Sequence, residues 1–306
     1  MEMLNFKLSV VVCTYNPKEE YFIRTLEAIK NQTLDKNDWE LIIVDNASDV
    51  PLSTRFGLSW QPNGRHVREE RLGVVHARLK GISEAKGEVI VFVDDDNLLA
   101  ANYLEVALEI GERYDFIGAW GGSIVAEFEQ TPPEWTKPYW ESIAIRERHV
   151  DLWSNVSESW STTPIGAGLC VRRAVAEGYF EAAMNSTTAL SLDRVGKKGL
   201  GGGGDDDIVE ASLKLGLGKG VFKDLVLTHL IPAWRLELEY LLRLCEQGTK
   251  TTTLLQLKNH GTAPLPETGW KYYLRQILYI VRRDNLGMQF YRARNRGIQS
   301  ARKTSP

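Results

Sequence analysis

The sequence predicts an α/β protein: a mostly parallel central sheet flanked by helices, with a helical appendage at the C-terminus. Three observations carry this. Short apolar runs of strand length alternate with amphipathic helical stretches through the first third, polar clusters follow the apolar runs, and basic charge gathers near the C-terminal end.

Leu8–Cys13 reads as the opening strand, and Pro17 introduces a helical pattern over about Glu19–Asn31, with Ile23, Leu26 and Ile29 on one side. Leu41–Val44 is a second buried strand. Val74–Lys86 is helical, ended by Gly87 at the position where glycine tolerates positive φ. Val89–Val93 is a further strand and Tyr103–Glu112 a further helix. Phe116–Val125 reads as a strand broken by Gly121 and Gly122. Residues 130–160, rich in Pro and Trp, fit a binding loop better than a linker, because linkers are seldom aromatic. Leu169–Val171 and Val221–Thr228 are extended, and Asp207–Leu215 and Arg235–Gln247 helical.

The chain has 306 residues, 43% hydrophobic and 25% charged, an ordinary globular balance with length for a substantial core. Its three cysteines cannot all pair, and Cys13 and Cys170 lie in apolar runs, which suits a reducing cytoplasm. Met1–Lys7 leads straight into the first apolar run with no secretory leader pattern, and no stretch reaches the roughly 20 apolar residues that span a bilayer. Net charge is −3, yet Lys271–Pro306 carries +8, which leaves −11 for the rest. That asymmetry fits a basic appendage on an acidic body.

Ligands of open parallel sheets bind beyond the carboxyl ends of the strands. Thr14-Tyr15-Asn16, Asp45-Asn46 and Asp94-Asp95-Asp96 each follow an apolar run. Three adjacent carboxylates repel one another unless a cation compensates, and hard oxygen ligands suit Mg²⁺ or Mn²⁺; the bland alternative is a solvated acidic turn. Gly201–Asp207 (GGGGDDD) sets a second acidic run ahead of a helix. Helix capping accounts for one such carboxylate, whereas a glycine hinge presenting a general base would account for the run. His229, ending the late extended run, is a candidate metal ligand or a structural histidine. Gly166-Ala167-Gly168 permits close backbone approach, either for sheet packing or for a sugar ring.

Four segments resemble glycosyltransferase family 2, inverting enzymes of the GT-A fold: Val10–Asn16, Ile43–Asp49, Ala77–Ile82 through Gly87-Glu88, and Val93–Asn97. The resemblance covers about residues 7–235. It implies a catalytic unit over 1–235, with the nucleotide-sugar half at 1–125 and the acceptor half at 126–235, followed by a basic helical region at 236–306. Thr14, Tyr15, Asn16, Asp45, Asn46, Arg78, Asp94 and Asp95 would then bind the nucleotide sugar, a UDP-sugar. Asp96, Asp94 and His229 would hold Mn²⁺ or Mg²⁺. Asp205 falls at the family's base position, with Gly204 where the family often has Glu, so the base lies between Asp205 and Asp206. The acceptor, a glycan or lipid-linked hydroxyl in surface polysaccharide synthesis, would meet Trp120, Gly122, Trp135 and Gly168, with Tyr139, Trp140, Trp153 and Trp160 as further aromatic contacts.

Two rivals stand beside this expectation. A sugar nucleotidyltransferase would carry a glycine-rich basic loop after the first strand, which Thr14-Tyr15-Asn16-Pro17 is not. A catalytically silent GT-A scaffold or carbohydrate-binding subunit is the other, kept open by Gly204. In the tail, Leu274, Ile277, Leu278 and Val281 recur at helical spacing among Arg275, Arg282 and Arg283. That pattern fits a helix on an anionic membrane, peripheral at the inner face, or a helix packed on the body with a solvated basic face. Nucleic acid is not expected as a partner, since the body is acidic and no recognition motif occurs.

Overall fold

The computed structural model describes residues 6–185 and 204–304. Within them nine strands form one sheet: β1 (Leu8–Thr14), β2 (Trp39–Asp45), β3 (Gly64–Arg68), β4 (Val89–Val93), β5 (Asn97–Leu99), β6 (Ile117–Phe128), β7 (Leu152–Ser154), β8 (Cys170–Arg172) and β9 (Gly218–Ile231). The order is β3-β2-β1-β4-β8-β6-β9-β5, with β7 also pairing β9. β1 to β4 are mutually parallel, and β8, β7 and β5 run antiparallel to their neighbours.

The apolar runs became strands because both faces of the sheet are covered. On one face Val10, Val12, Leu41, Ile43, Val91 and Val93 pack against α1 (Glu19–Lys30) and α3 (Tyr103–Arg113). On the other, Val11, Ile42, Val44, Ile90 and Phe92 pack against α2 (Val74–Glu84), α4 (Arg173–Met184) and α5 (Gly204–Lys214). Alternate residues of one strand thus feed two cores, each buried side chain worth about 1.5–3 kcal/mol.

Three expectations need correction. α2 ends at Glu84, and Gly87 does not have a positive φ; a Cβ there would strike the β1 backbone at Leu8 and Ser9, so close approach requires the glycine. β6 is not broken at Gly121-Gly122 but runs through them, shifting its register against β9 between Gly122 and Ser123. The loop over 130–160 contains a 3-10 run, Glu134–Ile143, and the strand β7.

The C-terminal region consists, among the described residues, of α6 (Leu238–His260), α7 (Gly269–Val281) and α8 (Asn285–Thr304). Ile143, Ile145 and Ile231 of the body share a core cluster with Leu236, Leu241 and Phe290, so the appendage docks on the body.

Candidate active site

The chain runs from β1 outward to β2 and β3, then returns to place β4 on the other side of β1. A crevice opens at such a switch point, beyond the carboxyl ends of the strands. Thr14 lies opposite Asp45 in register, and Val12 opposite Val93, so the tails of β1, β2 and β4 bring three polar clusters to one edge. The Thr14 hydroxyl donates to Asp95 across the switch point. Burial, and then the charge of Asp96, push Asp95 up to about 7, against the pull of that hydroxyl.

Asp45 accepts from the backbone N–H groups of Ser48 (2.9 Å, on Oδ1) and Leu52 (3.0 Å, on Oδ2), and from Arg68 Nη1 at 3.0 Å on Oδ2. Oδ1 therefore keeps a lone pair for a ligand. Arg68 lies on β3, a strand the sequence did not reveal. Asn46 and Asn16 do a different job from the one expected. The Asn46 amide donates to the carbonyls of Glu69 (3.2 Å) and Arg71 (2.7 Å) and accepts from Gly73 N–H at 2.8 Å. Asn16, at φ 46, accepts from the backbone of Asp49 and donates to its carboxylate. Both amides are engaged in tying loops together, so they position the edge. Tyr15 is half-buried beside them.

Asp96 leaves this edge for another partner set. Its carboxylate is 3.1 Å from Arg235 Nη2 and 3.4 Å from His229 Nε2, and Arg235 Nη1 lies 2.9 Å from the same imidazole nitrogen. Because guanidinium only donates, Nε2 accepts, and the ring proton sits on Nδ1, which is buried without a hydrogen-bond partner among the described residues. A carboxylate oxygen and an imidazole lone pair thus converge on a cation. Their 3.4 Å separation is near the about 3 Å edge of an octahedral Mg²⁺-type shell. The Arg235 guanidinium holds that position here, so the pair would take a divalent ion only with the guanidinium withdrawn from Nε2. Asp94 does not join them: among the described residues no three His, Cys, Asp or Glu side chains are arranged around a metal position. Nothing local in the sequence marks Arg235 as a partner of Asp96, which lies far from it along the chain.

The acidic run does not precede the helix but forms the first turn of α5, with Asp205 its second residue; Gly201–Gly203 of the expected hinge lie outside the described residues. Arg78 donates to Asp205 Oδ1, and Gly166 N–H donates to Oδ2 at 2.9 Å. α2 delivers that arginine. Gly81 lets the helix rest on Val11 of β1, and Arg78, one turn earlier, lies over the Phe92 ring with its guanidinium carbon 5.6 Å from the centroid. The Asp205 carboxylate is therefore held beside the carboxyl end of β4. Of the two readings of Gly166, the structure adds a third: its missing side chain leaves room for the Arg78–Asp205 pair.

Asp206 turns elsewhere, into a cavity of about 90 Å³ lined by Trp160, Thr163, Lys219 and Gln256 among others. Burial, and then the charge of Asp207, push Asp206 up to about 6. Lys219, buried and bonded to Ser157 O (2.8 Å) and Thr163 Oγ1 (2.7 Å), is lowered by the same desolvation.

The expected acceptor contacts are largely core. Trp120 is fully buried. A Cβ at Gly122 would strike the Leu225 carbonyl, and Gly168, at φ 71, fits under the Tyr103 hydroxyl, which donates to its carbonyl at 2.6 Å. Trp135 packs with Tyr139 and Trp140 in the cluster that seats the appendage. Trp160 and Trp153 remain about half exposed, Trp153 against Phe116.

A family model described as Glycosyl transferase family 2 matches residues 9–165. EpsH of Bacillus subtilis (strain 168), a protein with a glycosyltransferase name, is 34% identical over 128 residues, 40% of this chain and 35% of that protein. Glycosyltransferase AglE of Haloferax volcanii is 28% identical over 116 residues, 36% of this chain and 38% of that one. The chain spans well under half the length of these curated relatives. The crystal structure of S. aureus TarS 1-349 superposes with a TM-score of 0.54 at 15% identity, covering 98% of this chain and 92% of that one. The same protein in complex with UDP gives 0.53 at 14% identity. This likeness shows the fold, the one the sequence resemblance implied. With the matched region spanning more than half of its length, the chain belongs to glycosyltransferase family 2.

Proposed function

We propose that this chain transfers a sugar from a nucleotide-diphosphate donor, a UDP-sugar, to a hydroxyl of a glycan or lipid-linked acceptor, inverting the anomeric centre. One observation carries it: the Arg78–Asp205–Gly166 clasp holds a carboxylate at the same sheet edge where Thr14, Asp45 and Asp95 meet. The UDP complex of TarS supports the choice of nucleotide.

Asp45 Oδ1 accepts from the base, and Thr14 with Asp95 faces the ribose and phosphates. Asp96 and His229 would hold Mn²⁺ or Mg²⁺ in place of the Arg235 guanidinium, which now engages both side chains. When bound, such an ion supplies positive charge against the leaving diphosphate. Asp205 has a lone pair left on each oxygen beyond those used by Arg78 and Gly166. It takes the acceptor hydroxyl's proton as that oxygen forms its bond to the anomeric carbon, opposite the departing diphosphate. Trp160, on the rim of the Asp206–Lys219 cavity, is the aromatic that fits the acceptor, since sugar C–H faces stack on rings. The catalytic unit occupies residues 1–235 and the basic appendage 236–306.

A thermal-shift series with nucleoside diphosphates and their sugars, with and without Mn²⁺, tests the donor reading. UDP near 100 times its Kd should raise the melting temperature by about 2–5 °C. No shift with any nucleotide, together with no sugar release from any donor, would overturn it in favour of a silent scaffold.

A further inference from the structure

α7 presents a face that no other element among the described residues covers. Trp270, Tyr273, Leu274, Ile277, Leu278, Ile280 and Val281 are 44–74% exposed, and no residue of the helix is buried. At 100° per residue these seven fall within one arc of about 160°, too wide for the narrow seam of a coiled coil. The opposite side is the packed one. Tyr272 and Tyr279 lie against Tyr291 of α8 (ring centroids 5.7 Å in each case), and Gln276 accepts from Arg292 Nε at 2.9 Å.

The flank of the apolar arc is basic. Lys271, Arg275 and Arg282 share one edge, and Arg283 follows at the helix end. Arg275 pairs with Glu267 at 2.9 Å, whereas Lys271, Arg282 and Arg283 make no ion pair among the described residues. Trp270–Arg283 contains no acidic residue, and the next carboxylate, Asp284, accepts from Gly287 N–H at 2.7 Å as the cap of α8. No helix among the described residues is long and apolar enough to cross a membrane.

We propose that the outward face of α7 lies in the headgroup region of an anionic phospholipid bilayer and seats this chain on a membrane surface. The chemistry matches on three counts. A broad apolar arc enters the boundary between headgroups and acyl chains, Trp270 and Tyr273 are the ring types that settle at that depth, and the unpaired cations meet lipid phosphates. The acidic body is repelled by the same surface, which orients the basic appendage toward it. The surface stands independently of the transferase reading.

The test is co-sedimentation of the full chain with vesicles of phosphatidylglycerol and phosphatidylcholine, and with phosphatidylcholine alone. The chain should bind the anionic vesicles at least tenfold better than the neutral ones. Ile277→Glu with Val281→Glu should abolish binding, and Lys271→Gln, Arg282→Gln and Arg283→Gln should weaken it about fivefold per charge removed. All five side chains are exposed, so thermal melting should match the parent. Absence of binding to anionic vesicles overturns the proposal, as does binding that survives the glutamate pair. A dimer in sedimentation velocity that the glutamate pair dissolves, with no vesicle binding, assigns the face to a second copy instead.

Discussion

The chain carries two runs of three aspartates, one at a strand end and one in the first turn of a helix, and they distribute their charges differently. Asp94–Asp96 follow β4, where the turn sends Asp95 across the switch point to Thr14 and Asp96 away to Arg235 and His229. Asp205–Asp207 open α5, where successive side chains point about 100° apart. Asp205 thus meets Arg78, while Asp206 faces the cavity with Lys219. Neighbouring carboxylates are tolerated in both runs because Asp95 and Asp96, like Asp205 and Asp206, are led to different cations or donors. Where compensation falls short of the burial, the proton is retained at higher pH: Asp95 is pushed up to about 7 and Asp206 to about 6. Sequence adjacency therefore does not make either run a single site.

Substitutions within the runs should separate the roles. The largest effect is expected from Asp205→Asn, which should lower kcat by about 10³-fold while leaving the Kd for the nucleotide sugar within twofold. A loss of that size in Asp206→Asn and not in Asp205→Asn would exchange the two assignments. Asp96→Asn should weaken Mn²⁺ affinity by at least about tenfold, read by calorimetric titration; unchanged affinity would remove Asp96 from the metal position. Gly166→Ala places a methyl against the ends of Arg78 and Asp205, both able to swing aside. Folding should survive, with a melting temperature close to the parent's, while kcat falls by about 10–100-fold as the base shifts.

The smallest effect concerns stability and has a definite sign. Asp206 is raised from 3.8 in the unfolded chain to about 6 in the folded one. Between those values the native state binds more protons, so stability falls as pH rises through that window. Above pH 6 the cost of the buried charge is fully present. Asp206→Asn should therefore stabilise the protein by on the order of 1 kcal/mol at pH 7 and by almost nothing at pH 3.5. Equal effects at both values in urea unfolding would show that Asp206 is not responsible.

Legibility followed burial. β1, β2 and β4 were readable because strands covered on both faces are continuous apolar runs. β3 (GRHVR) was not, as a half-buried edge strand carries no such run, and β5 and β7, of three residues each, are too short for a pattern. α4 also escaped, although Val175, Ala176, Tyr179 and Ala183 do recur at helical spacing, with Gly178 interrupting them. The sheet edge proposed for the donor was legible as strand-end clusters. Trp120, Gly122 and Gly168, expected to meet the acceptor, proved to be packed positions because aromatics and glycines serve core and ligand alike.

By itself the sequence determined the alternation of strands and helices, the polar clusters at the strand ends and the basic apolar pattern of the tail. These are written in short-range periodicity and charge. Tertiary structure alone decided that Asp205 meets Arg78, 127 residues away, that Asp96 meets Arg235, and that α7 turns its apolar arc outward. The direction of a side chain is local, but what waits at its end is set by elements far along the chain.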